Sequence, residues 1–392
     1  MTKEQNLSIE QDFPGGSVDI VHVDQEKREI TFRPPRDPRH GWEAWWYFQL
    51  TGIKAGETIT LRLTGGTLSA SRSWAWLSWA VFSIDDETWL HMEKGQETVH
   101  EGVPFLVYRQ KIDSTNAWFA YAIPYLPRHV RSLISTLKTK IPEVQPFTLC
   151  HTRHEREVPA IRINQNAPNS QQRFVIWLQA RCHAFESGGS WALHGLAEWL
   201  ASDEPAAISL REQADITIIP IMDVDGVVNG RGGKHQQPRD HARDWDENPY
   251  WFSVRESIRR IRDAVAKGPF DLFVDFHGPG RPAPFFFVPA IGKLPELQKR
   301  NLLAFLDSIP ARPWTDEARN TYSSTDYYYV EDGESALTSG MNWTRLSTTP
   351  YVVSVVPEAA MRTPLSTIEG YREQGSTLGK GIERYLSRHK RA

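Results

Sequence analysis

The segment Phe174-Val-Ile-Trp-Leu-Gln-Ala180 is a short apolar run, and Arg181-Cys-His183-Ala-Phe-Glu186 follows it directly. A run of this length and composition, bounded by polar residues, predicts a buried strand. The next residues, Ser190 to Leu200, carry apolar side chains at i, i+4, i+7 and i+8 from Ala192, which predicts a helix. A buried strand followed by such a helix is typical of an α/β sheet.

Two further apolar runs also end in polar residues. Asp271-Leu-Phe-Val-Asp-Phe276 is followed by His277, and Tyr351-Val-Val-Ser-Val-Val356 is followed by Pro357 and Glu358. In open α/β sheets, ligands gather at the carboxyl ends of the strands. Two imidazoles and a carboxylate bind zinc and leave one coordination position for water. We therefore predict that His183, Glu186 and His277 bind zinc and that Glu358 is the general base.

Other histidines and carboxylates compete with this assignment. The H-x-x-E pattern occurs three times in the chain, and only the copy at His183 follows a buried-strand pattern. His194 lies on the predicted helix after the motif, where a surface or supporting position is expected. Asp275 is expected to point away from His277.

Composition excludes several classes of protein. A chain of 392 residues is long enough for two or three domains, and a net charge of −3 gives no support to nucleic-acid binding. The two cysteines, Cys150 and Cys182, cannot build a disulfide framework or a cysteine-based metal site. No apolar stretch reaches membrane-spanning length, and the polar N-terminus lacks the pattern of an export signal. We expect a soluble, cytoplasmic protein with no membrane or nucleic-acid partner; no oligomeric state is predicted.

The first part of the chain reads as β-structure. Trp45-Trp-Tyr-Phe-Gln-Leu50, Thr58-Ile-Thr-Leu-Arg-Leu-Thr64 and Trp74 to Phe82 are aromatic or β-branched, partly alternating, and separated by turn residues. This predicts an antiparallel β-sandwich over residues 1–116 and an α/β catalytic domain over residues 117–392. Seven of the fifteen tryptophans lie between Trp42 and Trp89. An aromatic core is favoured over a sugar-binding or peptide-binding surface.

These motifs together resemble those of the zinc metallocarboxypeptidases, in particular the cytosolic carboxypeptidase-like subfamily. The likeness covers most of the chain. The family's His-Pro-Gly-Glu zinc motif corresponds to His183-Ala-Phe-Glu186, its Asn-Pro-Asp-Gly turn to Asp223-Val-Asp-Gly226, and its Asp-x-Asn-Arg-x-Trp segment to Asp240-His-Ala-Arg-Asp-Trp245. Its Asp-x-His-Gly strand end corresponds to Asp275-Phe-His-Gly278, and its catalytic glutamate to Glu358.

The resemblance implies a fold and an activity. The fold is a β-sandwich, entered through a strand like Trp45-Trp-Tyr-Phe48, followed by a carboxypeptidase-type mixed-sheet α/β domain. The activity is zinc-dependent hydrolysis of a C-terminal peptide or amino-acid amide bond, with a peptide or protein C-terminus as substrate. Arg243 then binds the substrate carboxylate, because its planar fork suits bidentate contact. Ala242 replaces the family's asparagine beside it.

For two other roles known in the family, this sequence offers more than one candidate residue. The family places an oxyanion-stabilising arginine upstream in the same loop, where Arg231 and Lys234 are the candidates and Lys234 is preferred. Tyr327, Tyr328 and Tyr329 are the candidates for the substrate-lining tyrosine. The acidic residues Asp240, Asp244, Asp246 and Glu247 surround Arg243 and either neutralise it or favour a basic substrate group.

Two alternative functions are open as well. The zinc motif, the later histidine and the arginine loop are also similar to those of aspartoacylase and succinylglutamate desuccinylase, which act on small N-acyl amino acids. The long aromatic N-terminal domain argues against that alternative. A non-catalytic binding protein on the same fold is the third interpretation, and the complete zinc triad with Glu358 opposes it.

Overall fold

The computed structural model describes residues 6–65, 76–164, 173–278, 285–310, 322–324, 339–361 and 363–388. The described part forms a β-sandwich followed by a larger domain with one mixed sheet. None of its helices is both long and apolar enough to cross a membrane.

The first domain contains ten strands within the described residues. They are β1 (Ser8–Glu10), β2 (Asp19–Asp24), β3 (Glu29–Arg33), β4 (Tyr47–Thr51), β5 (Glu57–Leu63), β6 (Val81–Ser83), β7 (Leu90–His91), β8 (Gln96–His100), β9 (Val103–Ile112) and β10 (Asn116–Ala120). One sheet has the order β1-β4-β10-β6-β7 and the other the order β2-β3-β5-β9-β8. Neighbouring strands pair antiparallel, as predicted, except that β3 pairs parallel to β5.

Aromatic side chains fill the space between these two sheets. The ring of Phe32 in β3 lies edge-on to Trp46 and Phe48 of the other sheet, with centroid distances of 5.0 and 5.5 Å. In β5, alternate residues are buried, as expected when one face of a sheet covers a core. The tryptophans at positions 45, 46, 76 and 89 are buried. Their burial supports the aromatic core over a binding surface.

Strand β10 lies at the predicted boundary between the two domains. The predicted first domain stops at residue 116, where β10 begins. Because β10 pairs with β4 and β6 as far as Ala120, we propose that the sandwich extends to Ala120 and that the catalytic domain starts after it.

The second domain alternates helices and strands. Its helices are α1 (Pro127–Lys140), α2 (Ser187–Leu200), α3 (Pro205–Gln213), α4 (Val224–Val228), α5 (Phe252–Lys267), α6 (Glu296–Ser308), α7 (Gly340–Ser347) and α8 (Ile368–Arg388). Its strands are β11 (Val144–His151), β12 (Glu157–Ile163), β13 (Phe174–Ala180), β14 (Ala214–Ile219), β15 (Leu272–Phe276), β16 (Phe285–Val288), β17 (Tyr322–Ser324) and β18 (Val353–Glu358). Short 3₁₀ turns lie at His241–Arg243 and Ile291–Lys293 in this domain and at Pro38–His40 in the first domain.

The strands of this domain form one sheet with the order β11-β12-β14-β13-β15-β18-β16-β17. The central neighbours β14, β13, β15 and β18 pair parallel, and β11, β12 and β16 join through antiparallel pairs. The sheet is therefore mixed, as predicted. Its parallel strands β13, β15 and β18 end on the same side, so residues that follow them lie close together.

Helices α2 and α8 pack directly against each other. A Cβ atom built on Gly375 would collide with the carbonyl oxygen of Ala192, and one on Gly195 would collide with the backbone of Arg372. Glycine is required at both positions because the two helix backbones approach each other closely. This contact holds α2, whose first turn follows directly on Glu186.

Candidate active site

The three predicted metal ligands and the predicted base follow adjacent strands. His183 comes after β13, His277 after β15, and Glu358 ends β18. The backbone N–H of His277 donates to the carbonyl oxygen of Pro357 at 2.9 Å, and that of Ala359 donates to His277 at 2.8 Å. These bonds extend the pairing of β15 with β18 beyond the strands and place His277 beside Glu358.

The ligand atoms of His183, Glu186 and His277 converge on one point. The Nδ1 atom of His183 lies 2.9 Å from one carboxylate oxygen of Glu186, and that of His277 lies 2.7 Å from the other. The two Nδ1 atoms are 3.2 Å apart. All three side chains are buried, and one ligand atom from each lies within 4.8 Å of the others. The structure thus brings the predicted ligand set together.

The opposite nitrogen of each imidazole contacts a carboxylate. The Nε2 atom of His183 lies 3.0 Å from Asp240, and that of His277 lies 3.2 Å from Asp275. Such contacts fix the orientation and tautomer of a metal-binding histidine. The expectation that Asp275 points away is wrong, because residues two apart on an extended strand share one face.

The electrostatics of this group favour a cation. Burial by itself would lower the pKa of His277, but the carboxylates of Asp275 and Glu186 raise it well above its usual value. In the same way, Asp240 and Glu186 outweigh burial and raise the pKa of His183. A field that stabilises positive charge on both rings also stabilises a divalent ion between them. Two imidazoles and one carboxylate are a donor set suited to catalytic zinc, so the residues fit this metal.

A second set of candidate ligands shares His277. Cys182, Asp275 and His277 also lie close enough together to bind a metal, with the Cys182 sulfur 3.7 Å from the Asp275 carboxylate. Burial raises the pKa of the Cys182 thiol, and the nearby Asp275 charge adds to the effect. A protonated thiol is a poor metal ligand. The set that contains His183 and Glu186 is therefore the better zinc site.

Glu358 has the environment of a general base. Its side chain is only 8% exposed, and its Oε2 atom has no hydrogen-bond partner among the described residues. Burial and the nearby Glu186 charge raise the pKa of Glu358 to about 7, whereas the charges of His277 and Lys234 act in the opposite direction. A carboxylate with a pKa near neutrality is well suited to both accept and return a proton.

A small cavity joins these groups to the predicted substrate-binding residues. It is lined by both histidines, Glu358, Lys234, Ala242 and Arg243, and Met341 and Val356 add an apolar wall. Lys234 and Arg243 therefore share a cavity with Glu358 and both histidines, and their roles stay predictions.

Arg231 does not line this cavity. It lines a separate cavity of about 280 Å³, together with His40, Arg153 and Asp223. Of the two loop cations proposed from the sequence, Lys234 is the one that shares a cavity with Glu358. The tyrosine candidates Tyr327 and Tyr328, with Tyr329, lie outside the described residues.

The acidic side chains near Arg243 have cationic partners of their own. Asp244 accepts a hydrogen bond from Arg239 at 3.0 Å and two more from backbone N–H groups, and Asp246 accepts from Arg239 at 2.6 Å. Glu247 accepts from Arg262 at 2.6 Å. Arg239 and Arg262 thus balance much of the negative charge of this loop.

Two buried residues support the zinc motif, Arg181 and His194, and the sequence analysis considered a supporting position only for His194. The guanidinium of Arg181 donates to the carbonyl oxygens of Ala184 at 2.7 Å and Tyr125 at 3.1 Å, which holds the turn between β13 and α2. A charged residue directly after a buried strand was the available signal for Arg181. His194 is buried, with its Nδ1 atom 3.1 Å from the Tyr125 hydroxyl, so it has a supporting position and not a surface one.

Comparison with known families identifies the family of this chain. The sequence profile of the zinc carboxypeptidase family matches residues 130–336, just over half of the chain. The profile of the cytosolic carboxypeptidase N-terminal domain matches residues 9–122. The chain belongs to the zinc carboxypeptidase family. The predicted family, the hydrolase class and the zinc cofactor are thereby confirmed.

Individual relatives are distant in sequence. Human cytosolic carboxypeptidase 1 is 22% identical over 318 residues, which cover 70% of this chain and 25% of that protein. Cytosolic carboxypeptidase 2 of Danio rerio is 26% identical over 313 residues, which cover 71% of this chain and 42% of that protein. The matched region therefore spans between a quarter and about two fifths of these relatives.

Solved structures share the fold over nearly the whole chain. A metallo-carboxypeptidase from Burkholderia cenocepacia superposes with a TM-score of 0.78 at 22% identity, covering 97% of this chain and 99% of that one. A metallo-carboxypeptidase from Pseudomonas aeruginosa gives 0.77 at 19% identity, with 97% and 99% coverage. The predicted fold class is confirmed by this likeness.

Proposed function

We propose that this protein is a zinc-dependent carboxypeptidase that hydrolyses the C-terminal peptide bond of a peptide or protein. The observation that carries the proposal is the convergence of the His183, Glu186 and His277 ligand atoms within 4.8 Å, beside the buried carboxylate of Glu358. The relatives are named cytosolic carboxypeptidases, and a cytoplasmic location for this chain stays a prediction.

Different residues of the chain have separate roles in hydrolysis. Zinc bound by the ligand set would polarise the scissile carbonyl and make a water molecule acidic near neutral pH. Glu358 accepts the proton of the attacking water and later delivers it to the leaving amine. Lys234 stabilises the negative charge that develops on the carbonyl oxygen, where a preorganised cation has its largest effect.

Arg243 restricts the reaction to the end of a peptide. It lines the same cavity as Glu358, so a terminal carboxylate held by the guanidinium places the adjacent peptide bond near the base. Arginine suits this task because its planar fork contacts both carboxylate oxygens. Ala242 offers no side-chain donor, so this chain has one partner fewer for the carboxylate than the family pattern implies.

The test is a residue-release assay with zinc-loaded protein and a peptide library, read by mass spectrometry. We expect release of single C-terminal residues from peptides with a terminal carboxylate. C-terminally amidated copies should react at least about tenfold more slowly, because a charge-assisted hydrogen bond is lost. Arg243→Ala should reduce this preference, whereas Arg262→Ala, which removes an ion pair with Glu247 outside the cavity, should leave it unchanged.

Two controls separate the alternatives. Glu358→Gln should retain zinc and lose turnover by about a hundredfold or more. Faster hydrolysis of N-acetyl amino acids than of any peptide would replace the proposal with a small-molecule deacylase. Peptide binding without release, by wild type and Glu358→Gln alike, would indicate a binding protein.

A further inference from the structure

Trp42 of the β-sandwich domain contacts residues next to the candidate active site. The ring of Trp42 lies 5.1 Å from the Lys234 ammonium nitrogen, and its centroid lies 6.2 Å from that of Phe185. Its indole N–H donates to the Nδ1 atom of His235 at 3.2 Å. Trp42 thus contacts both the loop of Lys234 and the His183-Ala-Phe-Glu186 motif.

Backbone hydrogen bonds connect the same two segments. The N–H of Trp42 donates to the carbonyl oxygen of Lys234 at 2.9 Å, and the N–H of Gly233 donates to His40 at 2.8 Å. The N–H of Gln237 donates to Arg39 at 3.1 Å. Residues 39–42 of the sandwich therefore form a clamp along residues 233–237 of the catalytic domain.

Close packing leaves this loop little room to move. A Cβ atom on Gly232 would collide with the carbonyl oxygen of Trp42, and one on Gly233 would collide with the backbone of Ala184. The N–H of Phe185 also donates to the carbonyl oxygen of Gly232 at 3.0 Å. The loop is thus fixed between the sandwich on one side and the zinc motif on the other.

The backbone clamp does not fix the Lys234 side chain, which has four rotatable bonds and carries its charge at the end. An ammonium within about 6 Å of an aromatic ring is attracted to the face of the ring, and tryptophan attracts it most strongly. Trp42 satisfies this distance. Its ring limits the positions of a cation that lines the same cavity as Glu358 and both histidines.

We infer that Trp42 is a positioning residue for the Lys234 ammonium, so that the β-sandwich helps to stabilise the charge on the reacting carbonyl oxygen. The catalytic part of this inference rests on the proposed function. Trp42 itself is not placed against the substrate; it acts through Lys234.

The first experiment measures Lys234 directly, without turnover. The zinc-loaded protein, without substrate, is acetylated with a limiting amine-reactive reagent, and the rate at Lys234 is compared with that at the exposed Lys111 by mass spectrometry. Trp42→Leu should raise the relative rate at Lys234 several-fold, and Trp42→Phe should give an intermediate rate. His235→Ala, which removes the acceptor of the indole N–H and an edge contact with the Trp42 ring but keeps the ring beside Lys234, should match wild type. Equal rates in Trp42→Leu and wild type would overturn the inference.

The second experiment is a double-mutant cycle in the zinc-loaded enzyme. Trp42→Leu should lower kcat about tenfold and change KM less than about twofold, because the charge on the oxygen develops only in the transition state. Trp42→Phe should restore most of kcat. Trp42→Leu combined with Lys234→Met should be no slower than Lys234→Met alone. If the two substitutions lower kcat independently, so that their factors multiply in the double variant, Trp42 does not position Lys234.

The two ways of failing can be told apart. If Lys234→Met retains full kcat, the oxyanion role in the proposed function is wrong, and the acetylation rates alone decide whether Trp42 positions Lys234. Zinc content and melting temperature are measured for every variant. If Trp42→Leu does not fold, Trp42→Phe is used in both experiments. It should change the acetylation rate at Lys234 and kcat in the same directions, but by smaller factors.

Discussion

At the scale of single residues, the orientation of two imidazole rings controls the metal site. Each ring turns its Nδ1 atom toward Glu186 because its Nε2 atom is held by a carboxylate, Asp240 in one case and Asp275 in the other. A ring without that contact can rotate or change tautomer, and its affinity for metal then falls. The carboxylates behind the histidines are therefore part of the zinc site.

This leads to a prediction for Asp240. Asp240→Asn should weaken zinc binding about ten- to a hundredfold, as measured by competition with a chelator of known affinity. Asp246→Asn is the matched control, because Asp246 lies in the same loop but pairs with Arg239. Zinc affinity that is equal in the two variants would show that Asp240 does not orient His183.

The sequence indicated the site residues that follow strands. It did not indicate a residue that reaches the site from a distant part of the chain. His183, His277 and Glu358 each follow an apolar run, so the sheet alone brings them together. Asp275 lies beside His277, contrary to expectation, because residues two apart on an extended strand share one face. Trp42 reaches the site through contacts with residues nearly two hundred positions later, and no local pattern indicates such contacts.

At the scale of elements, α2 begins earlier than its sequence pattern indicates. The apolar periodicity predicts a helix from Ser190, whereas α2 starts at Ser187 and includes Gly188 and Gly189. Glycine is a poor helix former, so propensity favours a later start. A Cβ atom on Gly189 would lie 2.8 Å from the carbonyl oxygen of Phe276, which explains why glycine is present next to the zinc motif.

The contact between α2 and α8 gives the prediction at this scale. Gly375→Ala should lower the free energy of unfolding by about 1–3 kcal/mol or more, because the added methyl group collides with Ala192. Urea denaturation measures the change. Gly292→Ala is the control, since among the described residues no atom beyond its chain neighbours lies within 4 Å of a Cβ at that position. Equal midpoints for the two variants would mean that the helices can separate without loss of stability.

At the scale of the whole molecule, the two domains share one hydrophobic core. The same cluster of buried side chains includes Trp46 and Phe119 of the sandwich and Phe185, Met222 and Trp245 of the catalytic domain. The sequence predicted a sandwich and a mixed sheet, each from local patterns. It could not predict how they pack, nor the parallel pairing of β3 with β5, because both depend on contacts between distant residues.

A shared core predicts cooperative unfolding. Tryptophan fluorescence, to which the tryptophan-rich sandwich contributes strongly, and far-ultraviolet circular dichroism, which reports the helices of the second domain, should give the same midpoint in urea. Two separate transitions would show that the domains fold independently. In that case the clamp between residues 39–42 and 233–237 would contribute little to stability.

The central claim is that His183, Glu186 and His277 hold zinc while Glu358 stands beside it without binding it. Elemental analysis of purified, zinc-saturated protein after removal of free metal tests this most directly. We predict one zinc per chain for wild type and for Glu358→Gln, and loss of bound zinc for His183→Ala and His277→Ala. Undiminished zinc in the histidine variants, or its loss in Glu358→Gln, would contradict the assignment.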